Sequence, residues 1–264
     1  MIISASRRTD IPAFFSDWFF EKLKQGFVDV PNPMNPKQIR KVDLGFENVD
    51  CIVFWTKNPA KMLSRLTELA GYNYYFQFTL NAYNEVFEPS VPTLKERIET
   101  FKRLTDLIGP ERIKWRYDPI FLSEDIDSNF HKEKLDYLAK SLKGFTNECT
   151  ISFLDSYRKS DKRLKPYSVR QFTEDEMIDL AKSFAEIALK KNIQLYTCAE
   201  KIDLSEIGIK HGSCINKTLI ESLTGKSLHI KKDKNQRAEC GCYSSVDIGQ
   251  YKSCGHGCLY CYAC

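Results

Sequence analysis

Short apolar runs rich in β-branched and aromatic residues alternate along this chain with amphipathic stretches that carry helix start and stop signals. Ile2-Ile-Ser-Ala5 predicts a first strand, followed by a helix over roughly Asp17 to Gln25 with Ser16 as N-cap and Gly26 as its stop. Val30-Pro-Asn-Pro-Met-Asn-Pro36 is too proline-dense for regular structure and predicts a loop. Cys51-Ile-Val-Phe-Trp55 predicts a second strand, and Asn58 then caps a helix with Pro59 at its first position, where a missing N–H costs nothing. The third strand is Tyr74-Tyr-Phe-Gln-Phe78. Thr93-x-x-Glu96 is a capping box, and Leu94, Ile98, Phe101, Leu104 and Ile108 give its helix an apolar stripe that ends at Gly109-Pro110.

Ile113-Lys-Trp-Arg-Tyr117 predicts the fourth strand, and Leu135, Leu138 and Leu142 mark a helix that stops before Gly144. Thr150-Ile-Ser-Phe-Leu154 is the fifth strand. A second capping box, Thr173-x-x-Glu176, opens a helix with Met177, Leu180, Phe184 and Ile187 on one face. Ile193-Gln-Leu-Tyr-Thr197 is the sixth strand. From about Asp203 the pattern is irregular and cysteine-bearing, with a seventh strand expected near Val246-Asp-Ile248.

Regular β/α alternation predicts parallel strands joined by right-handed crossovers. No Gly-x-Gly-x-x-Gly and no P-loop follows a strand, which disfavours a nucleotide-binding doubly wound sheet. The expected fold is therefore α/β, an incomplete parallel (β/α) barrel of six to seven strands. Residues 1–202 would form its body, and the cysteine-rich segment 203–264 would complete it.

Composition narrows the setting. The 264 residues, 42% of them apolar, suffice for one large domain or one with a small appendage. No run is long and apolar enough to span a membrane, and Met1-Ile-Ile-Ser-Ala-Ser-Arg-Arg8 has no signal-peptide core, so the expected location is cytoplasmic, without a membrane partner. Ten cysteines in a reducing compartment point to metal ligation over disulfides. A net charge of +4 is too mild to imply nucleic acid by itself.

Polar groups collect where the predicted strands end. Arg7, Arg8, Thr9 and Asp10 follow the first strand, and Thr56, Lys57 and Asn58 the second. Thr79 and Asn81 follow the third, Arg116 and Asp118 close the fourth, Asp155 follows the fifth, and Cys198 with Glu200 follow the sixth. Strand ends meet polar loops in most proteins. In a barrel, however, the carboxyl ends of the strands build the active site, and six such ends together predict an enzyme. Arg7, Arg8, Arg116, Asp118, Asp155 and Glu200 are its candidate catalytic residues.

The densest chemistry is at the end, in Cys254-Gly-His-Gly-Cys258-Leu-Tyr-Cys261-Tyr-Ala-Cys264. These four thiols could close a structural zinc site. Zinc pairs, however, are more often Cys-x2-Cys separated by a long loop. So compact a pattern is closer to iron–sulfur ligation, with Cys254, Cys258 and Cys261 as metal ligands.

Cys254-x3-Cys258-x-Tyr260-Cys261 resembles the cluster motif of the radical S-adenosylmethionine (SAM) superfamily. The likeness extends to its spore photoproduct lyase-like branch. Ser6-Arg-Arg-Thr9-Asp10-Ile-Pro12 is similar to a Thr-Asp-Pro segment, and Phe54-Trp-Thr56-Lys57-Asn58-Pro59 to Thr-Lys-Ser-Pro. Phe76-Gln-Phe-Thr79-Leu80, then Phe87-Glu88-Pro89-Ser-Val-Pro92 and Arg97, resembles a Ser/Thr strand followed by Glu-Pro-x-x-Pro and an arginine. The superfamily's Gly-Gly-Glu motif is absent from the sequence. In the superfamily the cysteine motif comes first, whereas here it comes last, which implies a circular permutation with the strand near Val246 lying beside the N-terminal one. The Ser-Arg-Arg-Thr-Asp start and the terminal Cys-x3-Cys-x2-Cys-Tyr-Ala also resemble an uncharacterised bacterial domain family. Its members continue past Tyr-Ala, so a closing segment is expected beyond Cys264.

The resemblance implies a [4Fe-4S] cluster on Cys254, Cys258 and Cys261 whose open iron chelates SAM. Reductive cleavage would give a 5′-deoxyadenosyl radical that takes hydrogen from a substrate the sequence does not identify, with a flavodoxin- or ferredoxin-type electron donor. Thr9 or Asp10 would meet the SAM ammonium, Lys57 and Thr79 its carboxylate, and Tyr260 its adenine.

Other groups remain. Cys51 and Cys149 start apolar strands and read as buried small hydrophobes. Cys198, Cys214, Cys240 and Cys242 are candidates for a second iron–sulfur cluster, or for zinc with His211 in place of Cys198, and Cys264 is another candidate member. Arg158, Lys159, Lys162, Arg163, Lys165 and Arg170, interleaved with Tyr157 and Tyr167, read either as a solvated basic loop or as phosphate contacts. The alternative function is therefore a zinc-stabilised nucleic-acid-binding protein without redox chemistry. His131, His211, His229 and His256 form no triad and no His-x-x-x-His pair.

Overall fold

Side chains alternate across each strand, and the two faces of the central sheet are finished differently as a result. The strands are β1 (Ile2–Ala5), β2 (Phe27–Asn32), β3 (Asn35–Asp43), β4 (Cys51–Thr56), β5 (Tyr74–Thr79), β6 (Ile113–Ile120), β7 (Glu148–Phe153), β8 (Gln194–Thr197), β9 (Lys210–His211) and β10 (Val246–Asp247). The computed structural model describes residues 1–263. It shows an α/β fold with one eight-stranded parallel sheet in the order β10-β1-β4-β5-β6-β7-β8-β9. Among the described residues no pairing joins β9 to β10, so hydrogen bonds do not close the sheet into a barrel.

One face carries Ile3, Ile52, Phe54, Phe76, Phe78, Trp115, Tyr117 and Ile151 into the main core. That face is covered by α2 (Ser16–Gln25), α3 (Leu94–Ile108), α4 (Ser128–Ser141) and α6 (Glu174–Leu189), which contribute Phe19, Phe101, Leu138 and Phe184. Each such side chain stabilises the fold by roughly 1.5–3 kcal/mol on burial. His131 is a buried polar group there that is fully bonded: it meets the Tyr117 hydroxyl at 2.9 Å and the Phe121 carbonyl at 2.8 Å. Burial lowers its pKa to about 4, so the imidazole stays neutral.

The opposite face is partly polar, and the C-terminal segment lies on it. Ile2, Val53 and Tyr75 pack there with Cys214, Ile215, Ile220, Cys240 and Cys242, and α7 (Lys217–Thr224) supplies Ile220. Segments 1–202 and 203–264 thus share one sheet, the latter providing β9 and β10.

Most elements agree with the pattern, including both capping boxes, which open α3 and α6. The differences have physical reasons. The sheet has eight strands where six to seven were expected: β10 is the strand expected near Val246, whereas two-residue β9 is too short to leave a periodic signal. The proline-rich stretch is an antiparallel ribbon, β2 against β3, with its register shift at Pro31/Asn32. A two-stranded ribbon consists only of edges, where a missing N–H is tolerated. A short helix, α1 (Ile11–Phe14), precedes α2 and is capped by Asp10. After Asn58 the chain forms turns and a 3-10 helix over Leu63–Leu69 in place of an α-helix. Leu63, Leu66 and Leu69 recur every three residues, which a 3-10 helix places in line. The basic loop contains α5 (Arg158–Leu164). Among the described residues no helix is long and apolar enough to cross a membrane.

Candidate active site

The strand that precedes the terminal cysteines pairs with the N-terminal strand, Ile3 with Val246 and Ser4 with Asp247. Asp247 secures this junction. Its carboxylate accepts from Ser4 Oγ at 2.7 Å, Ser6 Oγ at 2.5 Å, the Arg7 amide at 2.9 Å and the Gly249 amide at 3.0 Å.

From there the chain folds back over the carboxyl ends of the strands. The Leu259 amide donates to the Phe87 carbonyl at 3.0 Å, and the Ser90 amide to the His256 carbonyl at 3.2 Å. Arg163, from α5, donates to the carbonyls of Leu259 and Cys261. His256 Nε2 lies 2.8 Å from Asp10 Oδ2, the oxygen that also accepts the Lys57 amide at 2.7 Å. The other Asp10 oxygen caps α1 through the Ala13 amide at 2.9 Å. Burial opposes a charged His256, but Asp10 outweighs it and raises the imidazole pKa. Asp10 is thus fully engaged in holding α1 and the cysteine loop together.

Below the loop is a buried charge centre. Glu88 Oε1 accepts from Lys57 Nζ at 2.8 Å and from the Tyr260 hydroxyl, and Arg97 stands 3.4 Å from Oε2. Burial pushes the Glu88 carboxyl up, yet Lys57 and Arg97 together hold it below its ordinary value. Lys57 also lies over the Tyr260 ring, 5.5 Å from its centroid. Cys258 is buried beside this centre, within electrostatic reach of Cys254, Cys261 and Lys57. Burial raises its thiol to about 12, with Lys57 pulling the other way.

The remaining predicted residues form a second group, joined to the first through Asn81. Asn81 exchanges hydrogen bonds with the Asp118 backbone at 2.7 and 2.9 Å and reaches the Tyr260 hydroxyl at 3.5 Å. Arg116 forks onto Asp118 Oδ2 at 3.1 and 2.6 Å and donates to Cys214 Sγ at 2.8 Å. Ser152 donates to Asp118 Oδ1 at 2.8 Å. Glu200 accepts the Phe153 amide at 2.8 Å, and burial raises its pKa to about 7. Asp155 pairs with Arg237, and both are partly exposed. Arg7 stacks on Trp55 at 5.2 Å, while Arg8 lies over Tyr251 at 5.1 Å and near Asp247. Thr9 Oγ1 and Arg7 Nη2 are buried without a hydrogen-bond partner among the described residues. Thr79 ends β5 opposite Arg116.

The thiols of Cys198, Cys214, Cys240 and Cys242 converge beside Arg116. Cys198 Sγ is 3.5 Å from Cys214 Sγ, and Cys214, Cys240 and Cys242 are buried in one cluster against which Cys198 packs. Hydrogen bonding from Cys214 lowers the Cys198 pKa and, with Cys240, that of Cys242. His211 does not take the place of Cys198. It is exposed on β9 and bonded to Thr197 at 3.1 Å. Cys51 and Cys149 are buried strand residues as expected, and Cys264 lies outside the described residues. Among the described residues no three His, Cys, Asp or Glu side chains already surround a common metal position.

Two of the six basic side chains after β7 are turned to internal use. Arg163 braces the cysteine loop, and Arg170 pairs with Glu176 at 2.7 Å. The sequence pattern assigns no role to Asp247 or His256 and marks Glu88 only through family likeness. A histidine between two glycines inside a cysteine motif was the available signal for His256, whereas Asp247 left none.

The family model for a domain of unknown function (DUF1848) matches residues 2–263, and the chain belongs to that family. The comparison with curated proteins found no match.

Proposed function

We propose that this member of the DUF1848 family is a circularly permuted radical SAM-type enzyme on an incomplete (β/α) barrel, with Cys254, Cys258 and Cys261 holding a [4Fe-4S] cluster. The observation that carries the reading is the seating of the cysteine loop on the strand ends, through His256 on Asp10 and Tyr260 on Glu88. The pairing of β10 with β1 supports the permutation, because the strand leading into the loop lies beside the N-terminal strand.

The donor set suits the cluster. Three thiols share one loop, Lys57 offsets thiolate charge at Cys258, and the buried ring of Tyr260 shields the same wall. When bound, the cluster and SAM would supply one-electron reduction and hydrogen abstraction. The chain's own residues bind and orient. Thr9 Oγ1, buried and unpartnered, is an acceptor for the SAM ammonium, while Lys57 with Thr79 would meet the carboxylate. Asp10 positions the loop. Arg116, Asp118 and Glu200 would line the substrate side, with Arg7 and Arg8 flanking it. A flavodoxin- or ferredoxin-type donor is the partner this chemistry requires.

The test is anaerobic reconstitution with iron and sulfide, reduction with dithionite and chromatography for 5′-deoxyadenosine. The wild-type chain should be brown and should form 5′-deoxyadenosine. The Cys254→Ala/Cys258→Ala/Cys261→Ala variant should form none. A reconstituted wild type that cleaves SAM no faster than this variant would falsify the proposal.

A further inference from the structure

We propose that Cys198, Cys214, Cys240 and Cys242 form a mononuclear, tetrahedral four-thiolate site that takes zinc, distinct from the terminal cysteine loop. The four residues come from three places: just after β8, just after β9, and the Cys240-Gly241-Cys242 turn. The four nevertheless gather into one series of neighbours: Cys198 Sγ stands 3.5 Å from Cys214 Sγ, and Cys214, Cys240 and Cys242 are buried in one cluster against which Cys198 packs. The Ile215 amide donates to Cys242 Sγ at 3.4 Å, which holds the Cys242 thiol against the backbone next to Cys214.

Spacing selects the metal class. Zinc–sulfur bonds of about 2.3 Å in a tetrahedron set neighbouring sulfurs about 3.8 Å apart, close to the observed contact. A cubane places its ligand sulfurs on separate irons and holds them much farther apart. The series does not yet enclose a point; metal binding would close it. Each remaining S–H then loses its proton to solvent as its metal–sulfur bond forms.

Charge supports the same assignment. A divalent ion with four thiolates keeps two negative charges. Arg116 donates to Cys214 Sγ at 2.8 Å, and Arg7, whose Nη2 is buried without a partner, lies within electrostatic reach of Cys242 and Cys214. The backbone is built for close approach. A Cβ on Gly241 would stand 2.7 Å from the Gly212 carbonyl, and one on Gly212 would stand 2.8 Å from the Thr197 carbonyl. Tyr75 and Gln77 clamp the Cys214 carbonyl at 2.6 and 3.0 Å. Between Ala199 and Ser245 the regular elements are β9, α7 and a single 3-10 turn over Ser205–Ile207, so a metal staple would fix a cover on the sheet that has little regular structure of its own.

The experiment uses the full chain carrying Cys254→Ala, Cys258→Ala and Cys261→Ala, so that the terminal loop contributes no ligand. Purified with zinc, it should retain one zinc per chain, released by a mercurial and read with a chromophoric chelator. Further substitution by Cys214→Ser and Cys242→Ser should abolish retention. Cobalt exchanged into the wild type should give the intense visible bands of tetrahedral thiolate cobalt, and Cys198→Ser, at a half-buried position, should weaken them. Absence of zinc from the triple variant, or retention after the further substitutions, overturns the site. Iron with sulfide in place of zinc overturns the mononuclear assignment. A metal-free Cys198–Cys214 disulfide also overturns it. Loss of zinc with SAM cleavage intact defeats this site alone, and the converse defeats the proposed function alone.

Discussion

The terminal cysteine loop draws its ligand candidates from eight consecutive residues, Cys254 to Cys261, and is held by groups that are not cysteine: Asp10, Glu88, Lys57 and Arg163. The inner thiols come from segments up to 44 residues apart in sequence, Cys198 to Cys242, and are held largely by one another and by Arg116. The first arrangement depends on a charge centre beneath a loop, the second on close backbone approach. Their weak points should therefore differ, and substitutions can separate them.

The largest separation should come from Glu88→Ala. Removing this carboxylate leaves Lys57 and Arg97 buried without their shared counter-charge and removes the Tyr260 acceptor. Breaking a buried ion pair from one side costs about 3–5 kcal/mol. Chemical denaturation should register a loss of that size, and reconstituted iron at the terminal loop should fall sharply. Zinc at the inner thiols should be unchanged in whatever fraction remains folded. Equal loss at both sites would show that the two regions fold as one unit.

Gly241→Ala probes the inner region in the opposite sense. The new methyl would meet a backbone carbonyl, Gly212 O, at 2.7 Å, and backbone on both sides must shift. Such overpacking costs about 1–3 kcal/mol. Zinc affinity should drop while formation of 5′-deoxyadenosine persists, as metal titration and the SAM cleavage assay would read. Unchanged zinc affinity would remove the link between glycine-mediated approach and the thiol series.

The same contrast explains what the sequence disclosed. Spacing within one loop is visible, so Cys254, Cys258 and Cys261 stood out at once, and the alternation of strands and capped helices exposed the parallel sheet. Thr93 and Thr173 capping boxes are local chemistry and appeared where they were read. The inner thiols were noticed as cysteines, but that Cys198 meets Cys214 depends on β8 and β9 pairing, with β9 only two residues long. Glu88 meets Lys57 across 31 positions, Asp247 meets Ser4 across 243 and His256 meets Asp10 across 246, and no periodicity encodes that. The ribbon of β2 and β3 was hidden by prolines that only an edge tolerates.

Gly255→Ala should give the smallest effect, although its clash matches that of Gly241 in distance. A Cβ there would stand 2.7 Å from the Phe14 ring. Phe14 is a side chain, 37% exposed, and can rotate outward where a carbonyl in a braced turn cannot. Rotation would sacrifice the edge contact of Phe14 with His256, whose ring centroids are 4.6 Å apart, but would leave His256 bonded to Asp10. An aromatic pair of this kind contributes about 0.5–1.5 kcal/mol, so the expected loss is below about 1.5 kcal/mol. Thermal melts of Gly255→Ala and Gly241→Ala, measured side by side, should show the smaller shift for Gly255→Ala. A reversed order would mean that the terminal loop depends on Phe14 for its seat, and that the charge centre under it is secondary.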